Sequence, residues 1–245
     1  MFRAIITIIV VVLFLIVSLP YLGIEFLLSK VNPEGSRKRQ IALVRFMLGK
    51  VLTPLCGARM HVEGLENIPK DQRCLFVGNH QSYFDIILSY PYLPQPIIYI
   101  VKQEFKKIPF LGFWMGRIGS LFLDRSDPRK AITTIKESCD LISEGRASVF
   151  VYPEGTRSKD GQVHEFHAGS FKAAQRTGCP IIPVAMKGTR DIWENHPRKL
   201  VPGDVYLTFG KPIYEKDLEP EQKKHIGDFV KADVEAMLAA EGPQQ

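Results

Sequence analysis

Cysteine is scarce in this chain of 245 residues: there are four, at positions 56, 74, 139 and 179, and no CxxC pair among them. That spacing argues against both a disulfide framework and a thiolate zinc site. Cys74 and Cys179 lie in apolar runs, so reduced, mostly buried thiols in a cytosol-facing domain are expected. No HExxH order occurs; His164 and His167 have a His-x2-His spacing without an evident third ligand, and no metal is expected. A G-x-S-x-G elbow is also missing, which argues against a serine hydrolase built on Ser82, His80 and Asp85. The glycine spacing and lysine of a P-loop are absent. We find no internal repeat and no low-complexity segment. The formal charge is +6, yet the basic residues are dispersed with no aromatic-basic groove signature, so anionic lipid is a better partner than nucleic acid.

Charge itself is missing from Ala4 to Ile24, 21 residues in a row. As a helix rising about 1.5 Å per residue they would cover roughly 30 Å, one hydrocarbon core. The run is long for a signal-peptide core and Leu19-Pro20-Tyr21 makes a poor cleavage site, so a retained segment is expected. Pro20 and Gly23 allow a bend, which leaves open a span or a helix dipping into one leaflet. Lys30, Arg37, Lys38 and Arg39 follow, against the single Arg3 before the run. This bias predicts that the bulk of the protein sits on the cytoplasmic side. Asn32-Pro33-Glu34-Gly35 reads as a breaker and Ser36 as the cap of a second helix. Along that helix Ile41, Val44, Leu48, Val51 and Leu55 recur at helical spacing, either to lie on headgroups or to pack on the domain.

From about residue 59 the pattern becomes strand alternating with helix. Strands are predicted over 59–64, 74–78, 96–101, 120–123, 148–152, 181–186 and 204–209, and helices over 84–89, 110–118, 131–142, 171–176 and 221–240. The expectation is an α/β fold with a mostly parallel β-sheet covered on both faces by helices. It would occupy residues 59–240, after membrane-associated helices in 1–58 that form a hairpin, and before a frayed tail at 241–245.

In such sheets sites gather at the carboxyl ends of strands. Three clusters follow apolar runs in that way. Asn79-His80-Gln81-Ser82-Tyr83-Phe84-Asp85 places a histidine five residues before an aspartate; a carboxylate on one imidazole nitrogen fixes the tautomer of a general base. Five residues on one straight helix separate side chains by about 140°. His80 must therefore precede the helix that carries Asp85. Phe122-Leu123-Asp124-Arg125 ends a strand in a charge pair, either a phosphate fork or a solvated turn. Tyr152-Pro153-Glu154-Gly155-Thr156-Arg157-Ser158 combines glycine, hydroxyls and arginine, as a phosphate cradle or as a capped turn. A fourth stretch, Gly178 to Val184, is an apolar strand whose prolines exclude regular pairing over part of its length; it reads as a wall for something greasy or as core.

Taken together, the His80 to Asp85 HX4D box, Gly119 to Arg125, the Pro-Glu-Gly-Thr-Arg-Ser run and Pro180 to Val184 resemble the four motifs of the glycerolipid acyltransferases, in order, over residues 60 to 215. Size and N-terminus resemble the bacterial-type 1-acyl-sn-glycerol-3-phosphate members. The resemblance implies transfer of a fatty acyl chain from an acyl carrier protein or coenzyme A thioester to the sn-2 hydroxyl of lysophosphatidate, giving phosphatidate. No cofactor is implied beyond that thioester, and the expected place is the cytoplasmic face of the cell inner membrane, among membrane lipid. His80 is implied as general base and Asp85 as its orienting partner. Glu154, Gly155, Thr156 and Arg157 are implied on the phosphate side, with Arg125 and Lys102 adding charge. Lys106 and Lys107 remain open to a carrier protein, headgroups or water.

Overall fold

The structure, a computed structural model, describes residues 1–124 and 126–240; the tail expectation for 241–245 lies outside the described residues. Seven strands form one sheet: β1 (Ala58–Glu63), β2 (Leu75–Gly78), β3 (Ile97–Lys102), β4 (Leu121–Leu123), β5 (Ser148–Val151), β6 (Ile181–Lys187) and β7 (Gly203–Phe209). Their order is β1-β7-β6-β2-β5-β3-β4. Every neighbouring pair is parallel except β6 and β7, so β1 and β7 run against the other five. All seven predicted strands are present, with ends displaced by a residue.

Among the described residues ten α-helices accompany the sheet: α1 (Phe2–Leu28), α2 (Pro33–Phe46), α3 (Thr53–Cys56), α4 (Phe84–Ser89), α5 (Leu111–Arg117), α6 (Pro128–Ser143), α7 (Lys172–Thr177), α8 (Thr189–Ile192), α9 (Pro220–Lys224) and α10 (Ile226–Ala240). Pleating sends alternate strand residues to opposite faces. Phe76, Tyr99, Phe150 and Val184 join Ala4, Leu22, Val44, Leu88 and Trp114 in a core under α1 to α5. Leu75, Val77, Ile98 and Val149 pack on the other face against Leu141 and Ile142 of α6, Ala173 and Ala174 of α7, and Val230 and Val234 of α10. The N-terminal helices thus share the sheet's own core.

α1 runs unbroken through Pro20 and Gly23, and it follows the domain along its length. At one end the Arg3 guanidinium donates to the Leu55 carbonyl at 3.0 Å. Midway, Phe14 stacks on Trp114 at 5.7 Å, and the Trp114 indole N–H donates to the Ser18 hydroxyl at 3.0 Å. Near the other end Glu25 is buried and takes both prongs of Arg39 at 2.7 and 2.8 Å, while the Ser36 hydroxyl donates to the Glu25 carbonyl. These contacts close α1 and α2 into a hairpin.

Several local readings are corrected. Asn32 and Pro33 start α2 rather than break it: the Asn32 side chain accepts from the Gly35 amide and proline occupies the first turn, where its missing N–H costs nothing. Ser36 is therefore inside the helix and buried, not its cap. The predicted stripe is buried at Ile41 and Val44 and packs on the core at Leu48, but Val51 and Leu55 are only half-buried because Met47–Leu52 is π-helical, which turns the buried face to Met47, Leu52 and Cys56. Of the two roles left open, packing on the domain is the one realised. Pro183 sits in an interior strand, paired with Val77, because the β7 ladder on its other side begins only at Val184. The C-terminal helix is interrupted at His225.

Candidate active site

β2 and β5 are adjacent at the sheet's centre, but their chains leave on opposite faces: β2 leads into α4 and β5 towards α7. The crevice between the two exits is where open α/β sheets accept ligands. Gly78, the last residue of β2, is needed there, since a Cβ would stand 3.0 Å from the Phe150 ring and 3.2 Å from the Val184 carbonyl. Asn79 then clasps β6: its amide donates to the Met186 carbonyl at 2.9 Å and its oxygen accepts from the Met186 amide at 2.8 Å. The loop is fixed before it reaches His80.

His80 lies in the loop and Asp85 in the first turn of α4, with Nδ1 of the imidazole 2.7 Å from Asp85 Oδ2. The carboxylate is fully buried, and the same oxygen accepts the backbone amides of Gln81 and Ser82 at 2.7 and 2.8 Å. Oδ1 accepts the Thr189 hydroxyl at 2.6 Å. Four donors hold the acid in one orientation, which holds the ring in turn. The Tyr152 ring stacks on the imidazole at 4.1 Å. With Nδ1 engaged, Nε2 is the nitrogen left for a substrate proton. Ser82 is buried and its hydroxyl accepts the Phe84 amide at 2.9 Å, which ties it to the turn before α4.

The loop after β5 is tied to the same place. Glu154 is buried, with Oε1 accepting the His80 amide at 2.7 Å and Oε2 the His164 amide at 3.1 Å. Burial pushes its carboxyl above the usual range, against the pull of those two N–H groups. Both oxygens accept backbone N–H groups, so Glu154 braces the loop. Gly155 turns with φ of 74°, and the Ser158 amide donates to the His80 carbonyl at 2.8 Å. Thr156 is exposed. Arg157 lies flat over Tyr83, its guanidinium carbon 3.5 Å from the ring centre, and Nη1 donates to Glu194 Oε1 at 3.1 Å. That Glu194 oxygen also accepts the Tyr83 amide at 3.0 Å. Arg157 is thereby presented beside the His80 loop.

Lys102 is brought to the same carboxyl edge but not into this cluster. It ends β3, with β5 between it and β2, and its ammonium faces Glu104 at 3.9 Å. Arg125 lies outside the described residues. His164 faces Asp160 at 3.1 Å. The sequence reading missed Thr189, Glu194, Tyr83 and Tyr152. Of these, Tyr83 and Tyr152 carried a nearby signal, Tyr83 inside the His80 to Asp85 box and Tyr152 as the residue before the Pro-Glu-Gly-Thr-Arg-Ser run.

Sheet, crevice and a histidine held by a buried aspartate set a candidate general base at the strand ends, and residues 59–187 match the family model described as Acyltransferase. The chain belongs to the Acyltransferase family. It is 41% identical over 157 residues to the chloroplastic 1-acyl-sn-glycerol-3-phosphate acyltransferase BAT2 of Brassica napus, covering 62% of this chain and 44% of that one. With the 1-acyl-sn-glycerol-3-phosphate acyltransferase of Saccharomyces cerevisiae it shares 31% over 181 residues, 73% of this chain and 58% of the other. The matched part thus spans less than half of the plant protein. Its fold is similar to that of the 1-acyl-sn-glycerophosphate (LPA) acyltransferase PlsC from Thermotoga maritima: TM-score 0.78 and 28% identity, over 97% of this chain and 95% of that one.

Proposed function

We propose that this protein transfers a fatty acyl chain from an acyl carrier protein or coenzyme A thioester to the sn-2 hydroxyl of 1-acyl-glycerol 3-phosphate, giving phosphatidate. The observation that carries the reading is the 2.7 Å contact from His80 Nδ1 to a buried Asp85 beside the Arg157 loop; the named relatives support the acceptor. Nε2 takes the hydroxyl proton as that oxygen attacks the thioester carbonyl. The tetrahedral intermediate then expels the thiolate, which receives the proton from the imidazolium. No side-chain nucleophile or cofactor enters, so both substrates must be bound together. Arg157, with Nη1 committed to Glu194, offers its remaining N–H groups to the acceptor phosphate, and that binding positions the hydroxyl.

We read α1 as lying in one leaflet on the cytoplasmic face rather than crossing. The reading rests on its contacts at Arg3, Phe14 and Glu25, which hold it along the domain from end to end while Ile5, Ile9, Leu13, Ile16 and Val17 stay exposed.

The test is release of free thiol over a panel of acceptors with both carrier-protein and coenzyme A thioesters, using the wild type and His80→Ala. Thiol release with lysophosphatidate, lost in His80→Ala while folding and membrane attachment persist, supports the proposal. Preference for glycerol 3-phosphate or another lyso-lipid would change the acceptor. Absence of transfer with lipid binding intact would make the protein a membrane-tethered lipid-binding module instead.

A further inference from the structure

Between the end of β3 and α5 the chain makes a knuckle, Lys106-Lys107-Ile108-Pro109-Phe110-Leu111-Gly112-Phe113. It is rigid. The Gly112 amide donates to the Ile108 carbonyl at 2.9 Å and the Trp114 amide to the Phe110 carbonyl at 2.9 Å. A Cβ on Gly112 would sit 2.5 Å from the Lys106 carbonyl oxygen. Phe110 is held at φ 61°, a conformation that costs an L-residue energy and persists only where the surroundings impose it. What this build presents is apolar: Ile108, Phe110 and Phe113 are 44%, 43% and 52% exposed, with Lys106 and Lys107 exposed beside them.

Two neighbours indicate what covers this surface. The residue after Phe113, Trp114, packs on Phe14 and Ser18, so the knuckle adjoins α1, whose outward residues Leu13, Ile16 and Val17 are bare. Phe105, just before the knuckle, meets Tyr83 edge to face at 6.5 Å, and Tyr83 carries Arg157. Exposed aromatics with lysines beside them match the layered chemistry of an anionic bilayer, acyl tails under phosphates. An acidic carrier protein would be met by the lysines but would leave three bare apolar side chains unexplained.

We propose that the 106–113 knuckle is a second membrane-contacting surface. It inserts Ile108, Phe110 and Phe113 into the interface of an anionic bilayer, sets Lys106 and Lys107 on the headgroups, and holds the Arg157 side of the site at headgroup level. The proposal rests on α1 lying in one leaflet and is independent of whether acyl transfer occurs.

The four native cysteines are buried, so Phe113→Cys in the full chain can be labelled alone with a polarity-sensitive fluorophore; Glu144→Cys, exposed between α6 and the amino end of β5, is the control. With vesicles of phosphatidylcholine and phosphatidylglycerol, the label at 113 should shift to the blue and be quenched by nitroxide-bearing lipid, and the label at 144 should do neither. Phe110→Ser combined with Phe113→Ser should raise the vesicle concentration for half-binding by about tenfold. A label at 113 that stays water-like on chains sedimenting with the vesicles would overturn the proposal. So would an unchanged half-binding concentration in the serine pair, or a response to an acidic carrier protein and not to vesicles. None of these readouts needs turnover, so failure of the acyl-transfer reading is seen separately.

Discussion

Thr189, the first residue of α8, donates its hydroxyl to Asp85 Oδ1 at 2.6 Å, and both side chains are fully buried. β6 thereby reaches across β2 to steady the acid that steadies His80. Removing the hydroxyl leaves one carboxylate oxygen without its donor, a loss of about 1.5–3 kcal/mol for a bond to a charged group. Thr189→Val should lower kcat by about tenfold with little change in KM for the acceptor, while Thr189→Ser restores kcat. An unchanged kcat in Thr189→Val would show that the contact only serves packing.

Arg157 works as a plane, lying on Tyr83 and donating one N–H to Glu194, with the rest of its fork left for a ligand. Lysine keeps the charge but loses the plane and the fork. Arg157→Lys is expected to raise KM for the lysophospholipid acceptor by about tenfold, the value of roughly 1.4 kcal/mol, with a smaller change in kcat. Steady-state kinetics over acceptor concentration checks this; an unaltered KM removes Arg157 from phosphate binding.

Asn79 contributes to the fold as much as to the site. Its side chain satisfies both backbone groups of Met186, all of them buried. Asn79→Ala strands an amide and a carbonyl at the centre of the sheet, at about 1–3 kcal/mol each. Chemical denaturation should place the midpoint well below that of the wild type; a midpoint within error would mean that water replaces the clasp.

Glu154 sets a pH dependence of stability. Its folded carboxyl binds protons more tightly than an ordinary glutamate at 4.5 because it is buried. Just above that pH the unfolded chain has released a proton the folded chain still holds, so stability falls as pH rises through the raised value and then levels off. Glu154→Gln should flatten this decline when denaturation midpoints are compared from about pH 4 to 8. A slope identical to the wild type would assign the decline to other groups.

What the sequence made legible was local or periodic. The central strands were visible because parallel strands buried on both faces read as short apolar runs such as Leu75–Gly78 and Ser148–Val151, and β1 because its residues alternate between buried and open faces. His80 and Asp85 were legible because five residues of chain already restrict their geometry. Thr189 and Glu194 were not: they meet Asp85 and Tyr83 across 104 and 111 residues, and no local pattern encodes such a pairing. The loop composition at Glu154 likewise could not say which way a carboxylate faces. Met47–Leu52 escaped because a π-turn rotates the buried stripe off the spacing that defines a helix.

α1 has a practical consequence for anyone wishing to handle this protein. Its Ala4, Leu22 and Phe14 belong to the core under the sheet, and Trp114, Ser36 and the Leu55 carbonyl find their partners on it. Cutting the chain before Pro33 would therefore not release a smaller, water-soluble catalyst. It would uncover one flank of the sheet, and the remainder is expected to aggregate through that bared apolar surface.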